Sequence, residues 1–196
     1  MLTLAVRTAG PSDRAPVAGT LASAFATGPV ADWLMPVASA RLDLYLEYAR
    51  ALYDDAIVHG TVYTADSYVA AAVWYPHDAV ADLDSVAEVL VEMAGFEVAQ
   101  RFGQLDAAMA AVAPAESHQH LAFLGVYPTL QRRGIGTALL RHHHHQLDQT
   151  GQAAFLVATS AGSRDLYLRH GYRVLDEVAL PAGPPLWPMW RAAGER

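Results

Sequence analysis

The chain has 196 residues, is 53% hydrophobic and carries 13 Lys plus Arg against 20 Asp plus Glu, a formal charge of −7. That length supports one substantial core in a single domain, and the acidic balance argues against general affinity for nucleic acid or an anionic membrane, since both need a net basic face. There is no cysteine, which removes disulfides, cysteine-ligated zinc, iron–sulfur clusters and thiol nucleophiles together.

The first seven residues are too short an apolar run for a signal peptide, and no uninterrupted stretch reaches the length of a membrane span. A cytoplasmic protein with no membrane partner is the expectation. The negative charge is compatible with a cationic substrate, although solubility alone accounts for the same sign.

Leu2 to Arg7 alternates like a short strand, and the turn after it places Ser12 or Asp13 to cap a helix through Phe25. A second helix is expected over 38–59, with Gly60 at its C-cap. Thr61 to Ala65 and Tyr68 to Tyr75 read as an antiparallel hairpin around Asp66 and Ser67. Two short helices are expected over 82–112, from the spacing of Leu83, Val86 and Leu90 and of Phe102, Leu105 and Met109.

His118 to Val126 reads as a strand, followed by a Tyr127–Pro128 turn and a helix from the Gly134–Gly136 pair to about Gln149. Strands over 153–159, 172–180 and 186–191 and a short helix over 163–170 complete an α/β pattern. His142 to His145 is internal to a helix, so only His142 and His145 approach one face; a solvated helix face is expected, and no metal.

The glycine pair falls where a strand and turn meet a helix N-terminus, a place with unpaired N–H groups and the positive end of the helix dipole. The dinucleotide fingerprint fails there because Leu139 stands where its third glycine belongs. The Walker A pattern fails for want of a closing Lys and Ser or Thr. What matches is Gln/Arg-x-x-Gly-x-Gly/Ala, as Gln131-Arg132-Arg133-Gly134-Ile135-Gly136, with a Val-x-Pro turn before it and Ser163-x-x-Leu-Tyr-x-Arg-His-Gly-Tyr172 after it. On these motifs, over residues 118–175, the chain resembles the GNAT superfamily of N-acetyltransferases. Within that superfamily the motif region also looks like small-molecule acetyltransferases of the antibiotic-resistance type.

The resemblance implies a mixed, mostly antiparallel sheet of six to seven strands flanked by helices and splayed between the fourth and fifth strands. It implies acetyl-CoA as cosubstrate, its pyrophosphate held by Gln131, Arg132, Arg133, Gly134, Ile135, Gly136 and Thr137, and its pantetheine arm along Leu124 and Val126 with a polar contact from Ser163. Tyr167 matches the tyrosine that protonates the departing thiolate and adjoins the cofactor; a core aromatic is the other reading of it. His120 falls where relatives have a catalytic Glu or His.

Period-two alternation puts His118, His120, Ala122, Leu124 and Val126 on one strand face. The resemblance then implies His120 as a candidate base, with a structural histidine inside the sheet as the other reading, and the Leu124 N–H as the oxyanion donor if the strand follows the family's geometry. Asp32, Trp33, Tyr45, Glu47, Trp74 and Tyr75 are candidates to line a pocket for a small-molecule primary amine, as are Leu186 to Trp190; each of them could instead be core or surface. The expected reaction is direct acetyl transfer to that amine. A CoA-binding module without turnover and a protein or peptide acetyltransferase are the alternatives. Homodimers are common in the superfamily, and apolar strand edges at the C-terminus would suit one.

Overall fold

A computed structural model describes residues 4–79 and 90–194. In chain order its elements are β1 (Val6–Thr8), α1 (Arg14–Phe25), α2 (Pro29–Leu34), α3 (Arg41–His59), β2 (Thr61–Ala65), β3 (Ala70–Pro76), α4 (Phe96–Ala110), β4 (His118–Val126), α5 (Ile135–Thr150), β5 (Ala153–Ala158), α6 (Ala161–Leu168), β6 (Arg173–Val174), β7 (Val178–Ala179) and β8 (Pro185–Arg191). The expected helix around Leu83 and Val86 and the start of the expected first strand at Leu2 lie outside the described residues.

The sheet runs β1-β2-β3-β4-β5-β8-β6, with β7 paired to β8 off this path. Among the described residues only the β4–β5 pairing is parallel. Eight strands appear where six or seven were expected because the segment 172–180 divides. Val174 pairs with Met189 but Val178 with Leu186, so one extra residue enters between them, and an inserted residue interrupts a ladder. The expected helix cap at Asp13 also takes another form. Its carboxylate accepts the Gly10 N–H at 2.8 Å and both Arg7 guanidinium nitrogens at 2.7 and 2.8 Å. That guanidinium holds the carboxyl well below the usual carboxylate range.

Helices cover both faces. On one, α5 and α6 pack Leu139, Leu140, Leu147 and Tyr167 against Trp74, Leu121, Leu156 and Met189. On the other, α1 and α3 pack Val17, Leu21, Leu52 and Tyr53 against Val62, Val73 and Tyr75. Gly60 ends α3 for a different reason from the left-handed cap its position suggested. Its φ is −132°, and a Cβ there would lie 2.4 Å from the Trp74 carbonyl oxygen. Close approach to β3, not a positive φ, demands glycine.

His143 and His144 correct the expectation of a solvated histidine face. Both are buried, at 5% and 6% exposure, while His145 is exposed. His143 stacks on Trp74 at 4.1 Å between ring centroids and lies 3.2 Å by Nδ1 from the Tyr63 hydroxyl; His144 Nε2 lies 3.0 Å from the Tyr172 hydroxyl. Burial lowers their pKa values to about 4 and about 3. Both are neutral in the folded state at pH 7, whereas an unfolded chain takes up these protons near pH 6.5. Between 6.5 and about 4 the unfolded state therefore binds more protons, and stability falls as pH falls.

Chemical denaturation at pH 7.5 and 4.5 should show that loss. His143→Phe, which keeps the stack on Trp74 and removes a buried Nε2 without a hydrogen-bond partner, should flatten it. An unchanged slope in the variant would contradict the assignment.

Candidate active site

The parallel ladder between β4 and β5 pairs His118 with Ala153 through Leu121 with Leu156 and stops there. β4 continues to Val126 beside β3 alone, so the two strands part beyond Leu121 as the sequence suggested. What faces the opening follows from antiparallel geometry. The Tyr127 N–H donates to the Val69 carbonyl at 2.9 Å, in line with the register that pairs Ala70 with Val126 and Ala72 with Leu124. Residues opposite one another alternate between bonded and non-bonded pairs. Leu124 and Val126 therefore turn their N–H and C=O groups away from β3, toward the opening. Gln131 Nε2 donates to the Val126 carbonyl there at 3.1 Å.

The expected five-residue alternation on β4 does not hold. The β3–β4 register shifts between Val73 and Trp74, so that Val73 pairs with Phe123 and Trp74 with Leu121. This bulge at Ala122 resets the parity of the strand. Leu121, Leu124 and Val126 pack toward α5 and α6, whereas Ala122 and Phe123 pack toward α1 and α3. His120 pairs with Tyr75 and Phe155, its ring 5.6 Å from that of Phe155. It thus lies on the α1–α3 face, opposite Leu124. It is half-buried, and burial lowers its pKa to about 4, so it is neutral at pH 7 and a weaker proton acceptor than a free imidazole.

Tyr167 lies on the other face, 7% exposed, edge-on to Tyr172 at 5.7 Å. Burial pushes its phenol well above the usual range, which keeps the proton on oxygen. Ser163 is engaged in the α6 cap: its hydroxyl donates to the Ser160 carbonyl at 2.9 Å and accepts the Ser160 N–H at 3.1 Å.

The turn before α5 brings the glycine motif to the same opening. Arg132 and Gly134 have φ of 60° and 83°. This conformation turns successive N–H groups to one side, as in an anion-binding nest. Among the described residues, none accepts a hydrogen bond from the N–H groups of Arg132, Arg133, Gly134, Ile135, Gly136 or Thr137. Gln131, Arg132 and Arg133 are exposed, and neither arginine pairs with a described carboxylate. Gly136 is buried, where a Cβ would meet Leu166, Leu124 and Val126 at 3.6–3.7 Å, ordinary contact. The Thr137 hydroxyl lies 3.1 Å from His170 Nε2.

Of the expected acceptor-pocket residues, one lines a cavity. A shallow hollow between α1, α3 and β4, with enclosed room of only about 10 Å³, is lined by Leu21, Phe25, Tyr45, Tyr48, Ala49, Leu52 and Phe123. Trp74 is fully buried on the opposite face against His143. Asp32 pairs with Arg41, Glu47 with Arg50, and the Tyr75 hydroxyl donates to Asp55. Trp33 donates to the Pro181 carbonyl, and Trp187 to Glu177. Phe25, Tyr48 and Phe123 were not singled out in the sequence, because an aromatic in an apolar stripe reads as core.

The two glycines should differ in tolerance. Gly134→Ala puts a Cβ on a left-handed residue and should cost about 1 kcal/mol in urea denaturation, whereas Gly136→Ala should change stability by less than about 0.5 kcal/mol. Equal losses would contradict the geometry.

Comparison with known proteins agrees with this arrangement. A family model described as an acetyltransferase (GNAT) domain matches residues 67–192. The chain is similar to a solved structure from Corynebacterium glutamicum described as histone acetyltransferase HPA2 and related acetyltransferase, at 24% identity and TM-score 0.73, covering 100% of this chain and 99% of that one. It is similar to arylalkylamine N-acetyltransferase 2 from Aedes aegypti at 16% identity and TM-score 0.66, covering 97% and 99%. With the ribosomal-protein-S18-alanine N-acetyltransferase from Escherichia coli it shares 14% identity and TM-score 0.59, covering 99% and 96%. At these identities the likenesses establish the fold, and with the family match over most of its length the chain belongs to the GNAT acetyltransferases.

Proposed function

We propose that the protein transfers acetyl from acetyl-CoA directly to a primary amine of a small molecule. The observation that carries this reading is the run of N–H groups from Arg132 to Thr137, without acceptors among the described residues and placed beside the opening between β4 and β5. A helix N-terminus whose donors and two arginines have no partner among the described residues fits a pyrophosphate. The family generally uses acetyl-CoA, and the printed names of its structural neighbours include acetyltransferases of arylalkylamines and of a protein alanine.

In this reading Gln131 to Thr137 hold the phosphates, and Leu124 and Val126 run beside the pantetheine arm, near Ser163. The amine nitrogen attacks the thioester carbonyl from the α1–α3 side, with His120 taking its proton directly or through water. The Leu124 N–H, turned into the opening, donates to the oxyanion. The carbon–sulfur bond then breaks, and Tyr167 on the other face donates its proton to the CoA sulfur. Acid and base on opposite faces suit a reaction in which the nucleophile enters from one side and the leaving group departs toward the other.

The chain contains neither cysteine nor lysine, so thiol release from acetyl-CoA can be followed without background from its own thiols or lysine amines. Across a panel of amines, release should require an added amine, and Tyr167→Phe should lower kcat by about 10²–10⁴. No release with any amine, alongside a melting temperature raised by acetyl-CoA, would replace this reading with a CoA-binding module. The pH profile tests His120 separately. Because its folded pKa is about 4, kcat/KM should show no His120 limb near 6.5, and any loss of the base by protonation should fall near pH 4. A limb near 6.5 that disappears in His120→Ala would contradict the buried, neutral histidine.

A further inference from the structure

The two motifs of the sequence, Gln131 to Gly136 and Ser163 to Tyr172, meet in the fold at two contacts. A Cβ on Gly136 would lie 3.6 Å from the Leu166 side chain, and the Thr137 hydroxyl lies 3.1 Å from Nε2 of His170, 33 residues further on. The second contact joins two polar groups, and the proposed acetyl transfer gives His170 no task.

The turn that ends α6 fixes His170. Its N–H and that of Tyr172 both donate to the Tyr167 carbonyl, at 2.9 and 3.2 Å, and Gly171 between them has a φ of 83°. A left-handed glycine just past a helix closes such a turn without steric cost. One short segment thus holds Tyr167 in the core and sets the His170 ring against α5.

Thr137 is the third residue of α5, and Cα–Cβ bonds on a helix tilt toward its N-terminus. Its hydroxyl therefore leans toward the run of N–H groups from Arg132 to Thr137. A hydroxyl has one proton to give. If Thr137 gave it to His170, only lone pairs would face an anion in the nest. If His170 Nε2–H donates to the Thr137 oxygen instead, the hydroxyl proton is available to a phosphate oxygen.

His170 can take either role. Burial first, and then the positive charges of Arg141, Arg169 and Arg191, lower its pKa, so the ring is neutral at pH 7 and carries one proton on either nitrogen. Arg141 stands one turn beyond Thr137 on α5, a Cβ on Gly171 would lie 3.9 Å from Arg191 Nε, and the His144 ring is 6.1 Å from that of His170. Negative charge in the nest favours the proton on Nε2, because only that arrangement aims a hydrogen at the anion.

We propose that His170 is a positioning residue for the cofactor phosphates: its Nε2–H holds the Thr137 oxygen and turns the hydroxyl proton toward the pyrophosphate. The inference rests on the acetyl-CoA reading of the nest and adds to it how the side chain at the third helix position becomes a donor. His170 acts through Thr137 and touches no reacting atom.

The test is a double-mutant cycle on CoA affinity, measured by calorimetry with the full chain at neutral pH, over Thr137→Val, His170→Phe and the pair. Thr137→Val removes the hydroxyl at nearly equal volume and should weaken CoA about tenfold, the low end for a hydrogen bond to a charged group. His170→Phe alone should weaken it about three- to tenfold, and should add nothing once Thr137 is Val. His170→Gln, whose side-chain amide is also a donor, should recover part of the loss. In His170→Phe the KM for acetyl-CoA should rise while kcat at saturating acetyl-CoA holds. Nitrogen-15 NMR of the CoA complex should find the His170 proton on Nε2.

Unchanged CoA affinity in His170→Phe would overturn the proposal, as would losses that add in the pair or a bare Nε2 in the complex. A lowered kcat with unaltered affinity would overturn it too, since the turn would then serve Tyr167 alone. Failure of wild type to bind CoA would overturn both this inference and the acetyl-CoA reading. Coupled losses of affinity with no acetylation of any amine would retire acetyl transfer and leave the role of His170 standing. Acetylation of an amine with CoA affinity independent of His170 would do the reverse.

Discussion

The β4–β5 ladder is parallel and stops at Leu121 and Leu156, while β4 runs on for five residues held by β3 alone. Backbone groups on a strand must be satisfied by a neighbour, by solvent or by a ligand. The segment from Ala122 to Val126 therefore presents an unpaired edge in the middle of a sheet, between helices that cover both faces. The register shift opposite Val73 and Trp74 decides what that edge offers. Without it, Leu124 would turn its N–H toward β3; with it, Leu124 and Val126 direct theirs into the opening, where the nest before α5 also arrives. One inserted residue thus connects strand pairing, side-chain packing and the chemistry proposed for the site.

Burial shapes the candidate acid and base in the same direction, toward neutrality. His120 is held neutral by a lowered pKa, and Tyr167 by a raised one. A neutral imidazole can take a proton from an ammonium and a neutral phenol can give one to a thiolate, so the pair suits a transfer that begins and ends with charge on the reactants. The histidines of α5 follow the same rule for a different purpose. His143 and His144 fill space between α5, Trp74 and Tyr172, and they carry polar atoms that only acid would charge.

Much of this was legible from residue order. Gly134 and Gly136 marked the helix N-terminus, and hydrophobic periodicity placed most strands and helices within a few residues. The failures have physical causes. Alternation along β4 was read as unbroken because a bulge depends on cross-strand register, which no local pattern encodes. His142 to His145 was read as a solvated helix face because four consecutive helix positions point around the cylinder; its two central members are buried by the packing of α5 on Trp74. The hollow on the α1–α3 face was only touched at Tyr45, since Phe25, Tyr48 and Phe123 lie on three elements that come together only in the folded chain.

The central claim is that the nest before α5 and the free edge of β4 form one site for acetyl-CoA, and amide NMR tests it most directly. On titration with acetyl-CoA, the largest chemical-shift changes should fall on the N–H groups of Arg132 to Thr137 together with those of Leu124 and Val126, while Gly125 and Phe123, bonded toward β3, shift less. Changes confined to other elements, or equal along β4 without the parity set by the bulge, would contradict the account.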